Sequence, residues 1–149
     1  MLRELTSDVV DSILRQQYFG RIACAADGQV LIEPITYLFD GYYIYGQTRE
    51  GTKIQMLRKN PAVCFEVDEM VAPDIWRSVV VQGTYEELEG DERLAVEQRL
   101  GVRTPPLYPH ETPQYNNGKD TTAYTAPPKR VVYRIRIATK TGRSVTRNE

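Results

Sequence analysis

Phe19-Gly-Arg-Ile-Ala-Cys-Ala-Ala26, Asp27-Gly28, Gln29-Val-Leu-Ile-Glu-Pro-Ile-Thr-Tyr-Leu-Phe39, Asp40-Gly41 and Tyr42-Tyr-Ile-Tyr-Gly46 follow one another without a break. Three apolar runs of strand length are separated by two-residue turns. Asp27-Gly28 is a strong hairpin signal, because the favoured tight turn needs positive φ and Gly supplies it at little steric cost. Connections this short hold no crossover helix, so the strands must be antiparallel neighbours. Pro34 interrupts the second run. A proline donates nothing to a ladder, so this point is expected at an edge, a bulge or a ligand-facing gap.

The rest of the chain extends the pattern. Thr6 or Ser7 can cap a short helix with Val9, Val10, Ile13 and Leu14 on one face. Gly51 to Lys59 reads as a second helix, ended by Asn60-Pro61. Ala62 to Val67 is a strand, and Met70 to Trp76 reads as an irregular link. Arg77 to Leu88 is a long strand, Asp91 to Leu100 a helix, and Val131 to Ala138 a last strand. Residues 101–128, rich in Pro, Tyr, Asn and Thr, show no steady period, and a link of that length usually has a task or is mobile. Antiparallel strands with short inserted helices favour a barrel over a layered α/β fold, since a barrel also removes exposed edges.

A chain of 149 residues suits one domain, 1–149, with a core of its own. The formal charge of −1 argues neither for a nucleic-acid footprint nor for a disordered acidic chain. Charge is nonetheless uneven: Glu86 to Glu97 is mainly acidic, and Lys129 to Arg147 almost entirely basic. The basic stretch reads either as a C-terminal tail, 139–149, or as a strand facing a site. Cys24 and Cys64 lie inside apolar runs without a CxxC partner, as expected of core thiols in a reducing, cytoplasmic setting. No stretch has secretory or membrane-spanning length. One histidine, His110, and two distant cysteines make no metal site, and no Ser/His/acid triad can be assembled. Glu33 is a lone carboxylate, a candidate acid or base without a second group. Any catalysis therefore needs a cofactor to carry the hard step.

Tyr43-Ile-Tyr-Gly-Gln-Thr-Arg-Glu-Gly-Thr-Lys-Ile54 is where such a cofactor would be held. A strand stops, then a hydroxyl, a guanidinium and an ammonium follow at the start of a helix, the ingredients of a phosphate site. Gly46 and Gly51 have P-loop spacing, but Lys53 comes one residue late and Ile54 follows it, so the P-loop match fails. Lys53 in a first helical turn gains little from the helix dipole and must be offset by solvent or by an anion. Thr48, Arg49 and Lys53 thus form either an anion site or a solvated surface cluster. Tyr37, Tyr42, Tyr43 and Tyr45 crowd the same turns and suit either ligand lining or half-wet strand positions. Trp76-Arg77-Ser78 is a pocket or subunit-contact candidate, or a core edge.

Taken together, Gly20-Arg-Ile-Ala-Cys24, Glu33-Pro-Ile-Thr-Tyr37, Tyr43 to Lys53, Arg58-Lys-Asn-Pro-Ala-Val-Cys-Phe-Glu-Val-Asp68, Trp76-Arg-Ser-Val-Val-Val-Gln-Gly83 and Val132-Tyr-Arg-Ile-Arg136 resemble the pyridoxamine 5′-phosphate oxidase-related, FMN-binding split-barrel family. The branch that includes the nitroimidazole-resistance proteins is most similar. The resemblance implies a mainly β, six-stranded antiparallel split barrel with short flanking helices, paired as a homodimer with FMN at the shared interface. It implies phosphate contacts from Gln47, Thr48, Arg49 and Lys53. Pro34, Ile35, Thr36 and Tyr37 would lie near the flavin ring, partly through backbone groups, and Trp76, Arg77 and Ser78 would come from the partner. It implies flavin-mediated electron or hydride transfer to a small-molecule acceptor, without nucleic acid or membrane. Tyr37, Gln47 and Trp76 would border the substrate space, with 105–115 as a lid. The branch commonly has histidine where this chain has Gln47, and glutamine cannot relay a proton near neutral pH. A flavin storage or sensor protein is the alternative, and a tyrosine-studded barrel binding single-stranded nucleic acid a third reading.

Overall fold

The computed structural model describes residues 1–103 and 130–147. Eight strands and three helices follow in the order β1 (Leu2–Glu4), α1 (Ser7–Gln16), β2 (Phe19–Ala26), β3 (Gln29–Thr36), β4 (Leu38–Phe39), β5 (Tyr43–Arg49), α2 (Thr52–Lys59), β6 (Ala62–Ala72), β7 (Ile75–Glu87), α3 (Gly90–Arg103) and β8 (Arg130–Val145). Six strands are long. β1 and β4 are fragments of three and two residues. The sheet path is β3-β2-β6-β7-β8-β5-β4, with β1 added beside β8, and every pairing is antiparallel. β3 and β4 stand at opposite ends of that path, yet only Tyr37 separates them in sequence. The sheet must therefore curl until its ends meet, and β3 approaches β5. The expected split barrel is present.

Local chemistry explains the first hairpin. Asp27 and Gly28 both have positive φ, 53° and 77°, as the tight turn requires. Pro34 lies on β3, an end of the sheet path, and pairs only with Arg21, so its missing N–H costs no ladder bond. Inside the barrel, Ile22, Phe65, Val67, Val79, Val81 and Ile135 are fully buried. Val10, Ile13 and Leu14 of α1 and Ile54, Met56 and Leu57 of α2 join this core. Each such side chain contributes about 1.5–3 kcal/mol relative to exposure. α3 covers a second cluster of Leu38, Tyr45, Leu88, Val96, Leu100 and Val132 on the other side of β5 and β8.

Four expectations change. The run read as one strand from Gln29 to Phe39 breaks at Tyr37 into β3 and β4, and of the two only the two-residue β4 pairs with β5. The supposed link 70–76 is the tip of a hairpin: β6 runs to Ala72 and β7 starts at Ile75, with a bulge between Met70 and Ala72. Met70 and Val71 are both exposed, so no alternation of burial marks this strand. Residues 139–145, expected in a basic tail, continue β8 to Val145 and pair with β7 from Gln82 to Trp76. Here Lys140 and Gly142 lie opposite the buried Val81 and Val79, replacing the apolar alternation that identifies a strand. Lys140 pairs with Asp11 of α1, and Gly142 leaves room for Leu5 and Val10. α3 also passes Gly101 to reach Arg103, so the segment taken as irregular from 101 opens with the helix end.

Candidate functional site

β5 delivers the chain to α2 through Gly51, which caps the helix without a side-chain hydrogen bond. The first bond of the helix ladder is Gln55 N–H to the Gly51 carbonyl, 3.1 Å. The N–H groups of Thr52, Lys53 and Ile54 precede it and have no intrahelical acceptor. No acidic residue occupies this first turn. Lys53 does, and its side chain is only 8% exposed, with Nζ 3.3 Å from Glu33 Oε2. Burial and the helix dipole both oppose a cation there. An ammonium kept under these conditions, beside uncapped N–H groups, is a donor set suited to an anion.

Glu33 brings β3 to the same place. Of its neighbours, Pro34 is exposed, Thr36 half-buried, and Ile35 buried in the core. Tyr37 is fully buried: its hydroxyl donates to the Leu14 carbonyl at 2.9 Å, and its ring meets Phe65 edge-on at 4.8 Å. The Tyr37 ring is thus a core element and does not border a substrate space. Tyr37→Phe is expected to lower stability by about 1–2 kcal/mol, leaving a buried carbonyl short of a donor, without changing flavin affinity. Chemical denaturation and a flavin titration check both halves. Gln47 and Thr48 are half-buried on β5, opposite Val132 and Val131, and Arg49 ends that strand beside Arg130.

Two further groups lie at this end of the barrel, and sequence reading missed both. Burial raises the Cys24 thiol pKa; Glu33 adds to that rise and Lys53 opposes it. Tyr133 is fully buried, and its hydroxyl has no hydrogen-bond partner among the described residues. Burial foremost, then the Glu33 charge, pushes that phenol far above its ordinary value. A Cβ on Gly46 would lie 2.5 Å from this hydroxyl, so the glycine in the candidate segment makes room for Tyr133. Nothing local in the sequence signals that contact, which joins β5 to β8.

Trp76 and Ser78 lie elsewhere. With Val80, Thr141, Gly142 and Arg143 they line an open groove of about 290 Å³ on the outer face of β7 and β8. Ser78 Oγ donates to Glu66 Oε2 at 2.9 Å, and Arg21 reaches Glu66 and Asp68 at 3.3 and 3.5 Å. Burial, aided by Asp68, raises the Glu66 pKa against the opposing effects of Ser78 and Arg21. Arg77 alternates to the other face and is engaged by both oxygens of Glu69 at 3.0 Å. β2 and β6 separate β3 from β7, a span of about 14 Å. One chain therefore brings Glu33 of β3 to the start of α2, and leaves Trp76, Arg77 and Ser78 on a strand three spacings from β3.

Of the other candidate tyrosines, Tyr42 is exposed and Tyr43 and Tyr45 serve packing. Tyr45 donates to Asp40 Oδ2 at 2.8 Å, and Arg134 stacks 4.3 Å from the Tyr43 ring centre. Burial and the Asp40 carboxylate push the Tyr45 phenol up to about 12. Asp40 is held below its usual value: burial pushes it up, but hydrogen bonds from Tyr42, Tyr43 and Tyr45 outweigh that effect. Cys24 and Cys64 are free thiols on opposite faces of the sheet, since Cys64 faces Ala23 in the register. Among the described residues, no three His, Cys, Asp or Glu side chains are grouped to hold a metal ion. None of the described helices is long and apolar enough to cross a membrane. His110 and the lid expected at 105–115 lie outside the described residues.

Comparison with known proteins places this geometry. The family model described as pyridoxamine 5′-phosphate oxidase matches residues 6–144. An uncharacterized protein of Rhizobium meliloti is 34% identical over 87 residues, and the match spans 58% of each chain, less than two thirds of that relative. Among solved structures, a FAD-binding protein of Mesorhizobium loti has a TM-score of 0.76 and 30% identity, covering 99% of this chain and 98% of that one. A FAD-binding protein of Mycobacterium smegmatis, at 24% identity and a TM-score of 0.71, shares the fold over 98% and 100% of the two chains. So does a candidate 5-nitroimidazole antibiotic resistance protein of Bacteroides thetaiotaomicron, at 17% identity and a TM-score of 0.68, over 97% and 87%.

Proposed function

The chain belongs to the pyridoxamine 5′-phosphate oxidase family, and from that membership we propose that it binds FMN and passes electrons or hydride to a small acceptor. The observation that carries the reading is the buried Lys53 ammonium in the uncapped first turn of α2. The FAD-binding Mesorhizobium loti protein, similar over almost the whole chain, supports a flavin as the ligand class. Lys53, the N–H groups of the first turn and the Thr48 hydroxyl would hold the phosphate. Pro34, Thr36 and the backbone of Ile35 and Tyr37, on the neighbouring strand, would border the ring. When bound, a flavin supplies reversible storage of electrons or hydride. The protein neutralises the anionic end, orients the ring and shields it from water.

Two copies would share the ligand. β3 and β7 stand three strand spacings apart, about 14 Å along the sheet, so we assign the partner subunit's Trp76 and Ser78 to the open side of the flavin. The same reading places the protein in the cytoplasm, where its two free thiols stay reduced. Absorbance of the purified protein, with mass identification of the released ligand, tests the core of it. Flavin bands and one FMN per subunit are expected. FAD in place of FMN would correct the cofactor, and no flavin after loading would overturn the function.

A second reading, a flavin storage or sensor protein without turnover, is favoured by two observations. Gln47 stands where the similar branch has histidine, and the tyrosine hydroxyls at positions 37 and 45 are committed to Leu14 and Asp40. Rapid reduction by NADH or NADPH with repeated turnover on an acceptor would exclude it.

A further inference from the structure

Glu33, the carboxylate paired with Lys53 among the described residues, has no part in the flavin reading so far. Glu33 sits on β3 immediately before Pro34, its side chain 40% exposed, while the ammonium it meets at 3.3 Å is 8% exposed. The two residues reach one another from different elements, β3 and the first turn of α2. A buried lysine needs a counter-charge, and a helix N-terminus needs negative charge rather than positive. In the ligand-free chain, Glu33 supplies both. It does so from a half-exposed position, where water can solvate its carboxylate once the ammonium turns elsewhere. The ammonium has three donors and a carboxylate within reach engages part of that capacity. Burial foremost raises the pKa of the Cys24 thiol and the Tyr133 phenol, and the nearby Glu33 adds to both rises.

We propose that Glu33 is a resident stand-in for the phosphate: it pairs with the Lys53 ammonium and holds it in place, and yields it when a phosphorylated ligand arrives. This rests on the flavin reading above and adds a positioning residue to it. Its consequence runs against the usual result of breaking an ion pair. The carboxylate repels an incoming phosphate dianion and competes for its lysine, so Glu33 lowers affinity for the ligand while stabilising the empty protein.

Glu33→Gln tests the exchange. The ligand-free variant is expected to melt at a lower temperature, because the buried ammonium has lost its counter-charge. FMN should bind about three- to tenfold more tightly than to the wild type, the effect of removing one half-exposed like charge close to the ligand. Riboflavin, which lacks the phosphate, should bind as before, and saturating FMN should return most of the lost melting temperature. A purely structural Glu33 would lower the melting temperature and leave the FMN-to-riboflavin affinity ratio unchanged, and that result overturns the proposal. Glu33→Asp keeps the charge but shortens the reach. It should fall between wild type and Glu33→Gln, and carries the test if the amide variant does not fold. If the wild type binds neither FMN nor FAD, the flavin reading fails. If FMN binds the wild type and neither variant binds it more tightly, the exchange alone fails.

Discussion

Lys53→Ala is expected to weaken FMN binding by about 10- to 100-fold while changing riboflavin binding by less than about threefold. The size follows from the contact. A charge-assisted hydrogen bond contributes about 1.5–3 kcal/mol, against roughly 1 kcal/mol for a neutral one. The Lys53 side chain is almost wholly buried, so its field at a neighbouring phosphate is poorly screened. The first-turn N–H groups of α2 remain in the variant, which is why binding should be reduced rather than abolished. Loss of fold is not the expected cause. The substitution removes a cation from the wrong end of a helix dipole, and Glu33, 40% exposed, can be solvated once alone. Isotherms for FMN and riboflavin, measured with a melting curve of the ligand-free variant, separate these effects. Equal losses for the two flavins would place the phosphate away from α2.

The contrast between Lys53 and Glu33 also shows what sequence reading could reach. Thr48 and Arg49 at the end of β5 and Lys53 in the first turn of α2 could be read in one stretch, because an anion site at a helix start would be built locally. That Lys53 is buried, and that its counter-charge comes from β3, depends on packing between elements that only the folded barrel brings together. The hairpins around Asp27-Gly28 and Asp40-Gly41 were legible because glycine and apolar alternation coincide there. β6 ends in the exposed pair Met70 and Val71, and the far half of β8 carries Lys140 and Gly142 inward. Neither offers the period of two by which a strand is recognised. Tyr37 shows where a motif does not reveal how a side chain is used. Its place in a motif shared with flavin proteins invited a ligand role, whereas its hydroxyl and ring are spent on Leu14 and Phe65.

The largest loss of stability is expected at a residue with no part in the site. Gly83 stands at the irregularity where β7 and β8 change register, between the pairings Gln82 with Thr139 and Gly83 with Ile137. Its backbone needs no positive φ, so the constraint is space alone. A Cβ there would lie 2.4 Å from the Arg136 carbonyl oxygen and 2.7 Å from Ile135 Cγ2. A side-chain tip can swing away, but a strand carbonyl cannot move without disturbing the ladder that holds it. Ile135, fully buried in the barrel, has little room to retreat. Overpacking typically costs 1–3 kcal/mol, and an obstacle made of backbone puts Gly83→Ala at about 3 kcal/mol or more. For a chain of this size that lowers the melting temperature by roughly 6–12 °C. Variant protein that remains folded should keep the wild-type ratio of FMN to riboflavin affinity, because neither Glu33 nor Lys53 touches this part of the sheet. A melting temperature within about 2 °C of wild type would mean that β7 and β8 can separate locally at the bulge, and that their paired register is softer than this close approach implies.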